Sequence, residues 1–208
     1  MPLICFFGSD GSGKTTLAKA LAKELESRGF NVKISWMRGS HTLASLLARF
    51  LSKFTLFRGS DNPYYRMSIP NSAKKVWQLI EFISVLPILL TRFILPCSLD
   101  YTVIAERYIP DFLVWVAVTT DDPSYLNSFS ARTLLALTLK TRIRIYVKAG
   151  IKKLIDRRDD MDPSFIKKGF TLYEKLAKSI GSFTLDTTDK NVNESMNILL
   201  AFLDKNLK

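Results

Sequence analysis

The sequence predicts an α/β fold in three layers, a five-stranded parallel sheet flanked by helices. Three observations carry this. Short apolar runs alternate with stretches of helical period, the order of a sheet built from βαβ units. The first run opens straight into a glycine-rich loop and then a helix. The 208 residues, 47% apolar and 24% charged, suit one domain with a sizeable core and exclude a disordered or fibrous chain.

Leu3–Phe7 is continuously apolar and stops at Gly8, as a buried parallel strand does. Lys14 to Arg28 follows as a helix, with Leu17, Leu21 and Leu25 on one face and Gly29 as its stop. Val32–Trp36 is the second strand. Residues 43–57 have helical period, and 58–71, with Gly, Asn and two Pro, read as a loop. A long helix is expected over 73–95 and a third strand over Tyr101–Ala105. Helices at 111–119 and 130–140 precede a fourth strand, Ile143–Val147. Residues 151–158 begin a helix, 159–164 form a polar loop and 165–180 another helix. Phe183–Asp186 is the fifth strand and 192–205 the closing helix. One domain, 1–208, accounts for all of this, with a short lid-like segment around 152–168.

Net charge is +11, from 30 Lys and Arg against 19 Asp and Glu. Such a surplus favours an anionic partner, whether nucleotide, nucleic acid or acidic membrane surface. The two cysteines, Cys5 and Cys97, exclude a disulfide scaffold and point to a reducing compartment. The N-terminal apolar run is too short for a signal-peptide core, so a cytoplasmic location is expected. Residues 76–96 have about the length of a membrane span, but Gln78, Glu81, Pro87 and Arg92 interrupt them. Charge near a bilayer centre costs at least a few kcal/mol, so no membrane span is expected. A buried helix, at a subunit interface or within the domain, is the favoured reading.

Gly8-Ser9-Asp10-Gly11-Ser12-Gly13-Lys14-Thr15-Thr16 fits G-x-x-x-x-G-K-[ST] in full, between a strand and a helix. The glycines let backbone N–H groups converge on phosphate oxygens, and the helix beginning at Lys14 adds its positive dipole end. Lys14 would reach the β- and γ-phosphates, and the Thr15 hydroxyl would be a Mg2+ ligand. The fold is therefore expected to be that of the P-loop NTPases, binding a nucleoside triphosphate such as ATP together with Mg2+.

Further candidates stand where strands end, the ligand edge of a doubly wound sheet. Glu106 closes the third strand and could hold the metal through water or accept a proton. Arg107 could brace phosphate oxygens in a bidentate grip. Arg38 closes the second strand and could hold an acceptor's phosphate. His41, the single histidine, reads as a helix-start residue rather than a catalyst. Lys152, Lys153, Arg157 and Arg158 lead into Asp159-Asp160. They read either as a solvated face or as a flap whose arginine closes on the transferring phosphoryl group.

Together FFGSDGSGKTTLAKAL, AERY at 105–108 and Arg38 after the second strand resemble the thymidylate kinase family of P-loop nucleotide kinases. LIDRR resembles that family's lid entry, Phe165–Ala177 with Tyr173 its following helix, and Leu185-Asp186 its last strand. The resemblance implies transfer of the γ-phosphoryl group of ATP to a nucleoside monophosphate, dTMP to dTDP. Asp10 would then approach the acceptor's sugar hydroxyl, Arg38 and Arg107 would clamp its phosphate, and Glu106 would assist Mg2+. Arg157 or Arg158 would come from the lid. A homodimer through the apolar helix 76–95 is implied too, although a buried helix of a monomer would have the same sequence.

The chain departs from that family in the long helix. IEFISVLPILL stands where base-reading polar residues are usual, and Pro110, Asp111, Phe112 and Trp115 replace the serine and glutamine after Asp-Arg-Tyr. A pocket without those partners loses discrimination between bases. The 62–66 loop, with Tyr64, Tyr65 and Arg66, could supply stacking and an arginine instead. A kinase for another small acceptor shares the same catalytic parts. A GTPase-type switch is excluded by the lack of an Asn/Thr-Lys-x-Asp motif. A nucleic-acid-binding ATPase is disfavoured because no nucleic-acid module signature occurs and the basic surplus, at 49–75 and 132–168, falls near the expected acceptor and lid.

Overall fold

The structure is a computed structural model and describes residues 3–158 and 161–206. Five strands form one parallel sheet in the order β2-β4-β1-β5-β6: β1 (Leu3–Phe7), β2 (Val32–Trp36), β4 (Thr102–Arg107), β5 (Ile143–Lys148) and β6 (Phe183–Asp186). The chain winds to one side of β1 and then crosses to the other. Loops from both halves therefore meet above the carboxyl end of β1, where such sheets hold ligands.

The pleat divides the core into two layers. Ile4 and Phe6 of β1 face α1 (Lys14–Ser27) and α9 (Val192–Asn206), packing with Leu17, Leu21 and Leu199. Cys5 and Phe7 face the opposite layer, built around α5 (Ile109–Thr119) and α8 (Pro163–Ser179). Every residue of α5 is buried, which explains why its sequence is apolar all round rather than on a stripe. The same alternation splits the end of β4. Glu106 belongs to the α1 side and Arg107 to the α5 side, so one dipeptide serves two neighbouring places.

Two stretches differ from the sequence expectation. The helix predicted over 43–57 stops early: α2 is Thr42–Leu51, and a single 3-10 turn covers Thr55–Phe57. The predicted loop 58–71 contains a strand, β3 (Arg58–Asn62), folded back on Arg66–Ser68 as a small ribbon outside the main sheet. Its alternation was invisible because RGSDN has no apolar side to bury. The ribbon is tied down instead by the residues after it. Met67 and Ile69 pack with Ala44, Ala48 and Trp77 in a cluster of their own.

The long helix is α3 (Lys74–Leu89), which passes through a π turn at Leu90–Ile94 into α4 (Leu95–Ser98). Pro96 cannot donate to the carbonyl a turn earlier, and the wider turn precedes it. Residues Asn71–Ser98 are long and apolar enough, by length and composition, to cross a membrane. The expected burial holds for one face only. Trp77, Gln78, Glu81, Ser84, Val85, Leu89 and Phe93 face the domain, whereas Val76, Leu79, Ile83, Leu86, Leu90 and Ile94 are exposed at spacings of three and four. The buried polar residues of α3 pin the start of α2. Ser84 Oγ accepts the Ala44 N–H at 2.9 Å, its carbonyl accepts the Thr42 hydroxyl at 2.8 Å, and Glu81 accepts the Ser40 hydroxyl.

Burial raises the Glu81 carboxyl to about 7, against hydrogen bonds from Ser40 and Trp77 that favour its ionised form. In the unfolded chain the same group ionises near its ordinary 4.5. The folded state thus binds the extra proton between those values. The stability this contributes is complete below about pH 4.5 and is lost as pH rises through about 7, a change of ~3 kcal/mol. Glu81→Gln, which keeps the acceptor for Ser40, should therefore raise Tm by roughly 6–12 °C at about pH 8. The gain should vanish near pH 4.5, as followed by circular dichroism melts at both pH values.

Candidate active site

The loop between β1 and α1 needs its glycines. Gly8 lies at φ +143°, and a Cβ there would stand 2.3 Å from the Val147 carbonyl oxygen of the neighbouring strand. Gly13, at φ +92°, occupies the left-handed position immediately before α1. Lys14 is 3% exposed and folds back over the loop. Its Nζ donates to the carbonyls of Gly8 at 2.6 Å and Ser9 at 2.7 Å. Burial and the charge of Arg107 push Lys14 down to about 7, against the pull of Asp111 and Asp10. The loop is braced from behind by Thr187, whose hydroxyl donates to the Ser12 carbonyl at 2.9 Å.

Asp10, at the middle of the loop, gathers arginines from three elements. Arg38 beyond β2 and Arg107 of β4 are both hydrogen-bonded to its carboxylate, and Arg158 Nη1 lies 3.4 Å away. Although burial opposes ionisation, Arg38, Arg107 and Lys14 hold Asp10 far below the usual carboxylate range. Arg157, one residue before Arg158, turns the other way and donates to the Gly11 carbonyl at 2.7 Å. These arginines end α7 (Ile151–Asp156), so the short helix delivers one cation to each side of the loop.

Asp111 anchors the back wall. It is fully buried at the start of α5 and accepts the N–H groups of Gly8 at 3.4 Å and Tyr108 at 3.3 Å. It also accepts the Tyr173 hydroxyl of α8 at 3.0 Å, and Arg107 Nη1 lies 3.7 Å from it. Burial pushes its carboxyl up, against Lys14 and Arg107. Phosphate loop, third main-sheet strand and post-lid helix are thus joined through one side chain.

Two grooves flank the loop, beside a smaller cavity lined by Ser9, Asp10, Arg38, Trp115, Phe165 and Tyr173. The first is lined by Gly11–Leu17, Arg107, Arg157, Thr187, Lys190 and Asn191. The second is lined by Arg38, Arg49, Arg107 and Arg158 with Trp36, His41, Tyr64, Tyr65 and Trp115, and among the described residues no carboxylate lines it. Arg107 lines both. Four arginines line the second groove, three of them paired with Asp10, an arrangement that suits it to an anion able to compete for those pairs.

On the α1 side, the Thr15 hydroxyl donates to Glu106 Oε1. A hydroxyl and a carboxylate, both hard oxygen donors at the foot of a phosphate loop, suit Mg2+. Among the described residues no group of three or more His, Cys, Asp or Glu side chains is placed to hold a metal by itself. A divalent ion here would complete its shell with water and phosphate oxygens.

The chain matches the ATPase family associated with various cellular activities (AAA) over residues 4–89, a match that ends before β4 and so reflects the phosphate loop and its flanks. It is 29% identical over 140 residues to the probable thymidylate kinase of Pyrococcus horikoshii, covering 66% of this chain and 63% of that protein. It is 23% identical over 207 residues to the probable thymidylate kinase of Methanocaldococcus jannaschii, covering 96% and 94%. The chain is a P-loop protein, similar at low identity to these probable thymidylate kinases.

In this P-loop protein the sequence-predicted residues Gly8, Asp10, Gly11, Ser12, Gly13, Lys14, Thr15 and Thr16 form the loop and its helix start. Arg38 and Arg107 meet at Asp10, Glu106 meets Thr15, and Arg157 and Arg158 divide between the grooves. Asp159 and Asp160, which the sequence reading placed at the lid, lie outside the described residues. His41 occupies the residue before α2, as expected, yet its side chain makes no capping bond and instead lines the second groove. Arg66 of the 62–66 loop does not line that groove, whereas Tyr64 and Tyr65 do. Arg49, Asp111 and Tyr173 were not singled out for the roles they occupy. A carboxylate inside a wholly apolar helix was the available signal for Asp111. Arg49 carries no signal beyond the charge of its region.

If Asp10 is the anion that offsets these arginines, Asp10→Asn should lower Tm in low-salt, phosphate-free buffer. Millimolar inorganic phosphate should restore it, and should raise the Tm of the variant more than that of the parent, in thermal-shift titrations.

Proposed function

We propose that this protein is an ATP-dependent nucleotide kinase that moves the γ-phosphoryl group to a nucleoside monophosphate, dTMP to dTDP. The observation that carries the proposal is the place of Arg107 between two cation-lined grooves. One groove contains the phosphate loop, and the other is built for a second anion. A hydrolase or a nucleic-acid-stimulated ATPase has no need of the second groove. Both relatives are named probable thymidylate kinases, which supports the same chemistry and the same acceptor.

In this reading Lys14 leaves the Gly8 and Ser9 carbonyls for the donor's terminal phosphates, whose negative charge favours its protonated form. Backbone N–H groups of Gly11–Thr15 and the positive end of α1 hold the rest of the triphosphate. Arg38 and Arg158 exchange Asp10 for the acceptor's phosphate, and Asp10 is freed to accept a hydrogen bond from its sugar. Arg107, held from behind by Asp111, spans donor and acceptor. It neutralises charge as the phosphoryl group passes between them. Arg157 approaches from the lid on the donor side. Thr15 and Glu106 would hold Mg2+, which supplies charge neutralisation on the donor's phosphates when bound. Product dTDP places the protein in nucleotide biosynthesis.

The exposed stripe of α3, with Leu43, Leu46 and Phe50 of α2 beside it, supports a homodimer in which a second copy covers both helices.

Two measurements test these readings. With ATP and Mg2+, coupled ADP-release assays over the common nucleoside monophosphates should give the highest kcat/KM with dTMP. Lys14→Ala should abolish turnover, while Arg38→Ala should raise acceptor KM about tenfold or more, the scale of a lost charged hydrogen bond. ADP release that is independent of any acceptor would sink the kinase proposal. Light scattering should return twice the 23.6 kDa chain mass, and Ile83→Arg should return the single-chain mass with ATP binding intact.

A further inference from the structure

We infer that Tyr64, carried on the β3 ribbon, is a positioning residue that holds Arg38 in register for the acceptor's phosphate. The inference rests on the acceptor reading of the second groove. Its grounds are geometric. The Arg38 guanidinium carbon lies 5.3 Å from the Tyr64 ring centre and 5.1 Å from that of Trp115, and the two rings are 5.3 Å apart. Arg38 also donates through Nη2 to the Tyr64 hydroxyl, while its Nη1 goes to Asp10. A guanidinium held against two aromatic faces keeps its fork in one plane, and the cation is attracted to both rings.

The two rings are held differently. Trp115 is buried within α5 and cannot move far. Tyr64 is 56% exposed, at the tip of a ribbon that contributes nothing to the main sheet. What fixes the tip is Asn62, which is buried and whose Oδ1 accepts the N–H groups of Tyr64 at 3.2 Å and Tyr65 at 3.3 Å. The ribbon closes only because position 59 is glycine. A Cβ on Gly59 would lie 1.8 Å from Ser68 Oγ. An exposed tyrosine at the end of a purpose-built turn, bonded to an arginine expected to meet the acceptor, is an arrangement that solvent exposure alone would not maintain. When Arg38 releases Asp10, the aromatic contacts and the tyrosine hydroxyl remain, so the guanidinium meets the phosphate already oriented and loses less freedom on binding.

Titration calorimetry of dTMP into the whole protein tests this, with ATP titrated separately as the control. Tyr64→Ala should weaken dTMP binding about tenfold, the size of a lost aromatic–guanidinium contact with its hydrogen bond. ATP affinity and Tm should not change, since the side chain is exposed. Tyr64→Phe should recover most of the affinity, because the ring is kept. In Arg38→Ala the further change Tyr64→Ala should have no effect on dTMP affinity, as expected of a residue that acts through Arg38. Gly59→Val, which unseats the ribbon without touching Tyr64, should reproduce the loss seen in Tyr64→Ala. Unchanged dTMP affinity in Tyr64→Ala, or losses that add in the double variant, would overturn the inference while leaving the kinase reading in place. If the parent protein binds ATP but not dTMP, the acceptor reading fails and this inference fails with it.

Discussion

A small volume above β1 contains Lys14, Arg38, Arg107, Arg157 and Arg158, and it must be kept from flying apart when no substrate is present. The protein does this with oxygens of its own. The Asp10 carboxylate takes three arginines, the Gly11 carbonyl takes Arg157, and the Gly8 and Ser9 carbonyls take Lys14. Each of these oxygens occupies the role that a phosphate oxygen would fill. These contacts form a closed network in which each of the five cations has a partner, and on the kinase reading substrate binding would exchange one set of anionic or dipolar oxygens for another. Exchange of this kind costs little in reorganisation, because the cations need not be gathered at the moment of binding.

The sheet topology is what brings these groups within a few ångströms. β4 and β1 are hydrogen-bonded neighbours, and β2 pairs with β4, so the residues beyond three adjacent strand ends face one another. The pairing of β2 with β4 shifts register between Ser35 and Trp36, where Trp36 comes to lie beside Arg107. Met37 then donates to the Arg107 carbonyl at 3.1 Å. This irregularity leaves Glu106 unpaired at the point where its side chain is needed on the α1 side, and it turns the chain so that Arg38 enters the groove. Asp111 extends the coupling into α8 through Tyr173. Tyr173 of α8 is thereby bonded to Asp111, beside the phosphate loop, while Arg157 and Arg158 after α7 reach Gly11 and Asp10.

Much of this was legible because the chemistry depends on residue type at short range. The phosphate loop needs consecutive glycines, lysine and threonine, and the five main strands are apolar runs long enough to be seen without partners. Their ends, and so Arg38, Glu106 and Arg107, follow directly. What was not legible depends on contacts between distant segments. β3 is polar and earns its strand geometry only by folding onto Arg66–Ser68 under the anchoring of Met67 and Ile69. Arg49 has no local mark because it reaches the groove through the packing of α2 on α3. The long helix reads as buried by composition, and only the tertiary structure shows that Gln78, Glu81 and Ser84 face inward with bonds to satisfy, while the aliphatic side chains between them face out.

That inversion on α3 bears on how the acceptor groove is built. Serine, glutamate and glutamine on a buried helix face are costly unless bonded, and here Ser84 and Glu81 spend their bonds on Ser40, Thr42 and Ala44. Ser40 lies just before α2, immediately after Arg38 and Gly39, and Thr42 and Ala44 lie in the first turn of that helix. Thr42 is held at φ +41°, a conformation unfavourable for a β-branched residue. The strain is sustained by the bonds to α3 on one side and the β2–β4 pairing on the other. Arg38 is thus fixed at its backbone by α3 and at its guanidinium by Tyr64, Trp115 and Asp10. On the kinase reading proposed above, the placement of this cation would be set by segments apart from the phosphate loop, so that acceptor choice could diverge while the loop stays as it is.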